Sequence, residues 1–370
     1  MEAFDVLIVG GGPAGSSCAW KLRQAGVRTV LIDKKNFPRD KPCAGWITPQ
    51  VVQALQLDIE EYKQNRTWQP IFGFRCGIIG RGDTEVRYGH AVSFGIRRCE
   101  FDSYLLDRAN TERRLGEPVE CIERQGQSWV INGQYAAPVL VGAGGNFCPV
   151  ARWLGARRQS LASAVVAQEI EFQLEDDRSA NVRGQSPALY FSKDMRGYGW
   201  CFRKGEYLNV GLGRTETDAF STHMALFRKF LHDKGIPCGD GKQPWKGHAY
   251  QLYDRAQPVL GDEGMLLVGD SAGLAYAQSG EGIRPAVESG LIAADVILRA
   301  KGNYSADLLR TYRSRLETRL GKPQQKSLLS CLPAAWLESL AAGLLGTRWF
   351  SRRIVMDRWF LHRGDAALSA

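Results

Sequence analysis

The sequence lacks the patterns of several specialised protein classes. Its 370 residues include nine cysteines, but none forms a Cys-x-x-Cys pair, and its five histidines are widely separated. The ligand spacing of a structural zinc site is therefore missing, and we predict no metal site. The isolated cysteines, together with a start that has no charged-then-apolar secretion signal, favour reduced thiols and a cytoplasmic location.

Long hydrophobic runs are also lacking. The most apolar late stretch, residues 332–346, is shorter than the roughly 20 residues that span a bilayer, and it contains Glu338. Hydrophobic residues make up 44% of the chain and charged residues 24%, as in ordinary globular proteins. We therefore expect a folded, water-soluble protein of about two domains.

Acidic residues are scarce towards the end of the chain. The net charge is +9, and from residue 301 onwards 12 Lys and Arg stand against 5 Asp and Glu. Such a tail indicates a surface for phosphates, an acidic partner or anionic lipid, with solvated helix faces as the alternative. No compact Lys/Arg run or nucleic-acid motif accompanies it, so we predict no nucleic-acid partner.

Tryptophans and arginines alternate in the same tail. Trp336, Trp349 and Trp359 lie close in sequence to four arginines, Arg348, Arg352, Arg353 and Arg358. Amphipathic helices of this composition favour peripheral contact with a membrane or docking of a partner. Helices packed on the rest of the protein are the alternative.

The first 33 residues predict a β-α-β unit. Residues 5–10 and 28–33 are short apolar runs, and residues 13–25 between them have a helical pattern. The first junction carries a G-x-G-x-x-G motif with Gly10, Gly12, Pro13, Ala14 and Gly15. Here glycine permits a tight turn and the close approach of a pyrophosphate, which the helix N-terminus stabilises. Asp33, followed by Lys34, ends the second strand, where a carboxylate can bind ribose hydroxyls.

A second motif distinguishes between dinucleotides. The carboxylate of Asp33 argues against a 2′-phosphate on the ribose that it would bind, so the dinucleotide is expected to be FAD or NAD rather than NADP. Residues 268–273 end another buried strand, and residues 280–283 open a long helix. This pairing favours FAD, because the helix N-terminus would stabilise the anion of a reduced flavin. We assign to this part of the site Gly269, Asp270, Gly280, Gly282 and Ile283; a solvent-facing turn and helix cap is the alternative.

The middle of the chain has a different pattern. The runs Val139–Gly142 and 265–269 resemble further buried strands of the first sheet. Residues 164–172, 188–191, 198–202 and 207–212 are strand-like without intervening helices, which predicts an antiparallel sheet, and residues 218–232 predict an amphipathic helix. We therefore assign 1–75, 76–160 and 256–300 to the FAD-binding domain, 161–255 to an antiparallel-sheet substrate domain and 301–370 to a helical region.

These motifs resemble the flavoprotein hydroxylase fold typified by p-hydroxybenzoate hydroxylase and, within it, the geranylgeranyl reductase family. The resemblance adds residues 41–45, 98–102, 198–204 and 209–211 to the glycine motifs. It implies an α/β fold: a Rossmann-like FAD-binding domain interleaved with an antiparallel β-sheet substrate domain, plus C-terminal helices. It also implies that Arg98 contacts FAD, that Asp270 lies near its ribityl chain, and that Cys43, Ala44 and Gly45 lie against the isoalloxazine.

The sequence departs from this family pattern at two places. Gly144-Gly145 stands where the hydroxylases usually carry Asp-Gly, which argues against direct use of NADPH. No second G-x-G-x-x-G motif is present, so the electron donor is either a transiently bound NAD(P)H or a protein. Trp46 follows the Cys43 loop where reductases more often continue with small residues, which argues against a long polyprenyl substrate.

Four residues are candidates for the substrate pocket. Tyr198 and Trp200 project to one face of a strand together with Phe202, and this aromatic wall would bind an apolar substrate; an ordinary sheet core is the alternative. Cys43 is a reactive thiol, a weak hydrogen-bond donor near the flavin or a small buried hydrophobe, and Trp46 follows it in the same loop. Lys204 either pairs with a substrate phosphate or carboxylate, or is a solvated lysine.

Three functions are compatible with this sequence. The leading hypothesis is an FAD-dependent oxidoreductase that transfers a flavin hydride to a C=C bond of an isoprenoid-type substrate. The alternative is an FAD-dependent monooxygenase that hydroxylates an aromatic group, including a protein tryptophan as in the flavoproteins that mature tryptophylquinone amino-acid oxidases. A non-catalytic flavin-binding assembly protein is the third.

Overall fold

The computed structural model describes residues 1–155, 164–174, 181–216, 218–239, 241, 243–253, 259–323 and 343–369. In chain order the strands are β1 Glu2–Ala3, β2 Val6–Val9, β3 Thr29–Asp33, β4 Trp46–Ile47, β5 Gln69–Ile71, β6 Gly73–Ile78, β7 Asp83–Arg87, β8 Ser93–Gly95, β9 Glu112–Leu115, β10 Ile122–Gln125, β11 Ser128–Ile131, β12 Tyr135–Ala137, β13 Val139–Gly142, β14 Ala164–Gln173, β15 Ala188–Phe191, β16 Gly197–Lys204, β17 Tyr207–Arg214, β18 Lys246–Gln251, β19 Gly261–Asp262 and β20 Met265–Leu267. The α-helices are α1 Pro13–Gln24, α2 Pro49–Ala54, α3 Ile59–Lys63, α4 Arg98–Ala109, α5 Pro149–Trp153, α6 Phe220–Asp233, α7 Ile283–Ala300, α8 Ala306–Leu320 and α9 Arg348–Phe350, and a π-helix spans Ser351–Phe360.

A six-stranded sheet forms the core of the first half of the molecule. Its order is β19-β20-β13-β2-β3-β9, and every pairing except that of β19 with β20 is parallel. Every residue of β2, β3, β13 and β20 is buried, as expected for parallel strands covered by helices on both faces. The two later apolar runs therefore join the sheet of the first β-α-β unit, which confirms the sequence prediction.

Helices α1 and α7 pack directly against each other over this sheet. A side chain at Gly290 of α7 would lie 2.2 Å from the Ala14 carbonyl oxygen, so only glycine permits the approach. α1 begins with Pro13, whose missing N–H costs nothing at the first helical position. As a result, the N-termini of both helices reach the same edge of the sheet, and both contribute residues to one cavity.

A seven-stranded sheet forms the second half. Its order is β18-β14-β17-β16-β15-β6-β7, and only the pairing of β15 with β6 is parallel. The predicted antiparallel segments correspond to β14, β15, β16 and β17, and the predicted amphipathic helix corresponds to α6. α6 covers one face of this sheet through Met224, Phe227 and Leu231. The other face meets the cavity.

The boundary placed at residue 76 falls inside β6. β6 and β7 belong to the seven-stranded sheet and not to the FAD-binding half, because β6 pairs along β15 over residues 75–78. This pairing joins strands more than 100 residues apart, and the apolar pattern of β6 alone does not reveal which sheet it enters. Two smaller sheets complete the architecture, in the orders β1-β12-β11-β10 and β4-β8-β5.

The C-terminal segment is only partly helical in the described residues. After α8, residues 324–342 lie outside the described residues, and they include Trp336 of the predicted tryptophan-arginine tail. The description resumes at residue 343. The π-helix places Val355, Met356 and Phe360 in a buried cluster against the seven-stranded sheet. The Arg284 guanidinium of α7 donates to the carbonyl oxygens of His362 (3.3 Å), Asp365 (3.5 Å) and Ala366 (3.4 Å). This segment therefore contacts both halves of the protein.

Candidate active site

A cavity of about 440 Å³ lies where the two large sheets meet. Fifteen of the residues singled out from the sequence line it: Gly12, Pro13, Ala14, Asp33, Lys34, Cys43, Ala44, Trp46, Arg98, Tyr198, Trp200, Asp270, Gly280, Gly282 and Ile283. Four more, Gly10, Gly15, Gly45 and Gly269, support the wall without lining it. Motifs up to 270 residues apart in sequence thus converge on one site.

The glycine loop after β2 leaves open space for a ligand. Gly10 has φ of +114°, and a Cβ there would lie 2.4 Å from the Ala143 carbonyl oxygen, so the turn requires glycine. A Cβ on Gly12 would meet only the Arg39 guanidinium, at 3.4 Å. The backbone of Gly12 and the first turn of α1 are therefore accessible to an anionic group, as a pyrophosphate requires.

Asp33 closes the same loop from the end of β3. Its carboxylate accepts hydrogen bonds from the backbone N–H of Gly11 (2.7 Å) and of Lys35 (2.9 Å). Because each carboxylate oxygen has more than one lone pair, these bonds leave acceptor capacity on the cavity side. Asp33 therefore orders the glycine loop and can also accept ribose hydroxyl protons.

Asp270 lies opposite, beneath the N-terminus of α7. Its carboxylate pairs with the Lys41 ammonium at 3.0 Å and lies 3.8 Å from His248 Nε2. Burial alone would raise the pKa of Asp270, but Lys41 and His248 hold it well below its usual range. Asp270 is therefore a fixed acceptor at neutral pH, which suits hydrogen bonds to polyol hydroxyls.

Arg98 lies at the start of α4 in a buried ion pair. Its guanidinium donates two hydrogen bonds of 2.8 Å to the Asp102 carboxylate, one turn further along the helix. Arg39 lies 3.3 Å from the same carboxylate. Two arginines share one fully buried aspartate, so the cavity wall here carries excess positive charge that can face cofactor phosphates.

The N-terminus of α7 faces the cavity through Gly280, Gly282 and Ile283, with Gly282 as the capping residue. Glu281 between them accepts a hydrogen bond from the Arg284 backbone N–H at 2.7 Å. Burial raises the pKa of Glu281 to about 7, although its contacts with Arg284 oppose the shift. The first turn of α7 therefore presents backbone N–H groups and the positive end of the helix dipole to whatever occupies this end of the cavity.

Aromatic rings form the wall on the side of the seven-stranded sheet. Tyr198 and Trp200 of β16 lie 6.2 Å apart between ring centroids. Trp46 stacks on Phe202 at 6.2 Å and on Phe360 of the π-helix at 6.4 Å. The predicted alternation along β16 is therefore observed, and Trp46, which lines the cavity, is only 7% exposed because its ring packs against Phe202 and Phe360.

Two polar side chains of the sheet hold the segment of Cys43 and Ala44 in place. Asn209 Nδ2 donates to the Cys43 carbonyl at 3.3 Å, and Lys204 Nζ donates to the Ala44 carbonyl at 3.1 Å. Lys204 also pairs with Glu171 at 2.5 Å and is fully buried. The alternative of a solvated Lys204 is therefore wrong, because the strand end is covered by this loop and the ammonium is neutralised within the protein.

Several cavity residues did not follow from the motifs. Lining residues outside the motifs include Arg39 and Asp40, but three of the residues that lie outside the motifs matter most for the chemistry of the site, namely Glu169 of β14 and His248 and Tyr250 of β18. Glu169 had a signal in the sequence, since two glutamates alternate with apolar residues in β14 and period-two spacing places both on one face. His248 and Tyr250 show the same alternation, but nothing in the sequence places β18 beside Asp270.

The residues around the cavity fit FAD. The open backbone at Gly12, the acceptor Asp33, the arginine pair on Asp102 and the α7 N-terminus match the phosphates, the ribose and the flavin ring of that cofactor. Among the described residues, no group of three or more His, Cys, Asp or Glu side chains is arranged to hold a metal ion. The residues that line the cavity therefore support a flavin cofactor.

Comparisons with known proteins agree with this assignment. The FAD binding domain family matches residues 3–59. An uncharacterized protein of Methanosarcina barkeri is 31% identical over 80% of this chain and 75% of its own length. Digeranylgeranylglycerophospholipid reductase 3 of Methanosphaera stadtmanae is 28% identical over 88% of this chain and 85% of its own. The chain belongs to the geranylgeranyl reductase family of FAD-dependent oxidoreductases.

A solved structure shows the same fold as this geranylgeranyl reductase family member. The geranylgeranyl bacteriochlorophyll reductase-like protein of Thermoplasma acidophilum superimposes with a TM-score of 0.79, covers 98% of both chains and is 20% identical. This similarity confirms the predicted α/β fold. The FAD binding domain match and the reductase relatives confirm the FAD cofactor and an FAD-dependent oxidoreductase, which argues against a non-catalytic flavin-binding protein. Within the described residues, no helix is both long and apolar enough to cross a bilayer.

Proposed function

We propose that this enzyme saturates a C=C bond of an apolar, isoprenoid-type substrate with a hydride supplied by reduced FAD. The substrate would bind against the aromatic wall of the seven-stranded sheet, in the same cavity as the residues that would hold the flavin. The protein's part is to orient the double bond, to exclude water and to fix the charges around the cofactor. The electron donor that reduces FAD is NAD(P)H or a protein.

One observation carries this proposal. Tyr198 and Trp200 line the same cavity as Gly12, Asp270 and the N-terminus of α7. The polar atom of each side chain already has a hydrogen-bond partner within the protein. The Tyr198 hydroxyl donates to the Ser279 carbonyl, and Trp200 Nε1 donates to Asn209 Oδ1 at 2.7 Å. The polar atoms of these two rings are therefore satisfied within the protein, which leaves their apolar surfaces available to a hydrocarbon substrate.

Anaerobic turnover tests the proposal. The purified enzyme, with its FAD reduced by dithionite, is incubated with geranylgeranyl diphosphate and with a digeranylgeranyl glycerophospholipid, and products are analysed by mass spectrometry. We expect a product heavier by two hydrogen masses from at least one of them, together with reoxidation of the flavin. Reduced enzyme that forms no saturated product from either class would contradict the proposal.

A monooxygenase is the second candidate, favoured by the position of Trp46. The Trp46 indole is packed between Phe74 at 5.8 Å and the rings of Phe202 and Phe360, and it ends the cavity at that side. A long prenyl chain needs an apolar channel beyond this point, whereas a compact aromatic ring does not. An aromatic group, such as a tryptophan of a protein substrate in tryptophylquinone maturation, would fit the shorter cavity.

Dependence on oxygen separates the two candidates. A hydroxylation consumes O₂ and incorporates one of its atoms, so product formed under ¹⁸O₂ would carry the label. Alkene saturation proceeds in its absence. Both assays use the same enzyme preparation. The anaerobic alkene assay also serves as a control, because reoxidation of the flavin in it shows that the bound cofactor is intact.

We also propose that the C-terminal segment contacts an anionic membrane surface. Trp349 is 67% exposed, and Arg348, Arg352, Arg353 and Arg358 are exposed around it. Tryptophan with arginine is the composition of surfaces that lie in the headgroup region. Phe360 of the same segment stacks on Trp46, which lines the cavity, so this contact would bring a lipid substrate close to its binding site.

A further inference from the structure

One carboxyl group lies on the wall of the cavity without an assigned role. Glu169 of β14 is 6% exposed and lines the cavity beside Trp200 and Ala44. Its Oε2 atom is buried and has no hydrogen-bond partner in the described chain. A buried polar atom without a partner costs free energy, so such an atom at an active site calls for a functional explanation.

A second cavity reaches the same carboxyl group. It has a volume of about 410 Å³, and both cavities are lined by residues 40–43, Arg98 and Glu169. Most of the remaining lining is polar and includes Arg97, Glu171 and Lys246. The Lys246 side chain is half exposed, so this second cavity connects Glu169 with solvent. Glu169 therefore lies between a water-accessible cavity and the apolar substrate wall.

The surroundings of Glu169 favour its neutral form. The nearest ammonium, Lys204, is already paired with Glu171 at 2.5 Å, and Glu171 also accepts from Arg97 at 3.0 Å. Burial raises the pKa of Glu169 to about 7, while Lys204, the Cys43 backbone and Asn209 oppose the shift and Glu171 adds to it. Lys41 and Arg98 of the shared wall and Lys246, the register partner of Glu169 on β18, complete the charged groups that face it. A proton is therefore available on this carboxyl group near neutral pH.

Three other acidic groups of the cavity, on Tyr198, Glu281 and Asp270, are engaged in contacts with other parts of the protein. The Tyr198 hydroxyl donates to the Ser279 carbonyl, and burial raises the pKa of Tyr198 well above its usual range. Glu281 accepts the Arg284 backbone N–H at the start of α7, and Asp270 is held as a carboxylate by Lys41. Of these groups, Glu169 alone combines an unpartnered oxygen with a path to water.

We propose that the Glu169 carboxyl group donates the proton that completes saturation of the substrate double bond, an inference that rests on the proposed alkene reduction. Bound FAD, when reduced, supplies a hydride with its electron pair to one alkene carbon. The π bond breaks, and its electron pair forms a C–H bond between the second carbon and the proton of Glu169. The O–H bond of Glu169 breaks to leave a carboxylate, which water in the second cavity reprotonates. The alkene thereby gains one hydride and one proton, and charge balances.

Single-turnover kinetics of the Glu169→Gln holoenzyme test this role. The amide keeps the size of the side chain but carries no acidic proton, so we expect unchanged FAD content and unchanged reduction by dithionite. Saturation of the prenyl compound should be about 100-fold slower, the usual effect of removing a general acid. Glu169→Asp keeps the acid and should recover part of the rate. In D₂O the wild-type product should carry deuterium at the second carbon in one configuration, and the Glu169→Gln product in both.

A second measurement needs neither substrate nor turnover. Infrared spectra of the protein at about pH 6 should contain a carboxylic acid C=O band that is lost in Glu169→Gln and that disappears as the pH rises through about 7. Glu206→Gln is the matched control, since Glu206 is exposed in the turn between β16 and β17 and should change neither the band nor the rate.

The outcomes separate this inference from the proposed function. A wild-type enzyme that saturates the substrate while Glu169→Gln does so equally fast would overturn the role of Glu169 and leave alkene reduction standing. An infrared band that is the same in both proteins would overturn it too. A wild-type enzyme that saturates no prenyl compound would remove the proposed function, and the proton donor with it.

Discussion

The two walls of the cavity are built on different principles. On the side of the six-stranded sheet, the ligand surface is backbone: the glycine loop after β2 and the N-termini of α1 and α7. On the side of the seven-stranded sheet it consists of side chains, namely the aromatic rings of β16 and the carboxyl group of Glu169 on β14. The first wall suits a fixed cofactor, because backbone N–H groups cannot be exchanged by mutation. The side chains of the second wall can be exchanged by mutation, so this wall can be adapted to different substrates.

The walls also differ in how they are fixed. The backbone wall is held by hydrogen bonds that are local or run between adjacent strands, such as those from Gly11 and Lys35 to Asp33. The side-chain wall is joined to the Cys43 loop across about 160 residues, by Lys204 and Asn209. This difference predicts that substitutions on the backbone wall abolish cofactor binding, whereas those on the other wall affect stability, pH dependence and substrate.

The largest effect is expected at Gly12. In Gly12→Val the backbone conformation, φ −75° and ψ −176°, remains allowed, and the new Cβ meets only the Arg39 guanidinium, so the fold should persist. The side chain would occupy the space of the pyrophosphate. We expect FAD to bind about 1,000-fold more weakly, equivalent to about 4 kcal/mol, as measured by fluorescence titration of the apoprotein.

Gly82→Val is the matched control, since a Cβ at Gly82 meets nothing within 4 Å. Unchanged FAD affinity in Gly12→Val would mean that the cofactor does not approach the loop, and the contrast between the two walls would fail. Circular dichroism of both variants separates loss of binding from loss of fold.

A smaller effect, on stability, is expected at Lys204. Lys204→Met leaves Glu171 without its buried partner and the Ala44 carbonyl without its donor. Breaking a buried pair from one side usually costs several kcal/mol, and because Glu171 retains Arg97 and is partly exposed we expect about 3 kcal/mol in urea unfolding. The double variant Lys204→Met, Glu171→Leu should recover part of this loss. Lys193→Met, at an exposed position, should cost little; a similar loss there would mean that the buried pair is not responsible.

The difference between the walls explains what the sequence could predict. The glycine motifs, Asp33 and Asp270 are contiguous patterns whose physical requirement is local, and each lies at or directly behind the cavity. The strands of the antiparallel sheet followed from apolar alternation. The sheet to which β6 belongs did not, because its partner β15 lies more than 100 residues away and parallel pairing leaves no turn signal between them.

Long-range polar contacts were the hardest to foresee. Lys204 ends a strand in a manner typical of a solvated residue, and only the Cys43 loop folded over it makes it a buried ion pair. Glu169 and Glu171 alternate in sequence, but their pKa values shift in opposite directions because the Lys204 ammonium forms its ion pair with Glu171 and not with Glu169. The sequence pattern predicts on which face of a strand a side chain lies, whereas the charged groups that surround the side chain in the fold determine its protonation state.

The pH dependence of stability sharpens this distinction between the two glutamates. Because burial raises the pKa of Glu169 to about 7, the folded protein binds its proton more tightly than the unfolded chain does. The stabilisation is fully present below about pH 4 and is lost as the pH rises through about 7. Glu169→Gln should therefore be more stable than wild type at about pH 8, by about 2 kcal/mol, and equal to it at about pH 4.

Glu171 should show the opposite sign. Burial favours its neutral form, but Lys204 and Arg97 outweigh this and lower its pKa, so its contribution is present at neutral pH and is lost as the pH falls below its usual range. Glu171→Gln should accordingly destabilise the protein at about pH 8. Thermal unfolding of both variants across this range checks the signs, and parallel profiles would refute the assignment of opposite charge states to the two residues.

The smallest effect is expected on the outer surface behind the aromatic wall. If the C-terminal segment lies on anionic lipid, each exposed arginine should contribute about 1 kcal/mol at low salt, so Arg353→Gln should weaken sedimentation with phosphatidylserine vesicles about fivefold. Trp349→Ala should weaken it as well, and unlike the arginine effect this loss should persist at high salt, because burial of an indole does not depend on ionic screening. Arg124→Gln, on the four-stranded sheet, controls for net charge. Equal losses for Arg353→Gln and Arg124→Gln would show that overall charge, and not this segment, attracts the vesicle, and the side-chain wall would then have no membrane surface behind it.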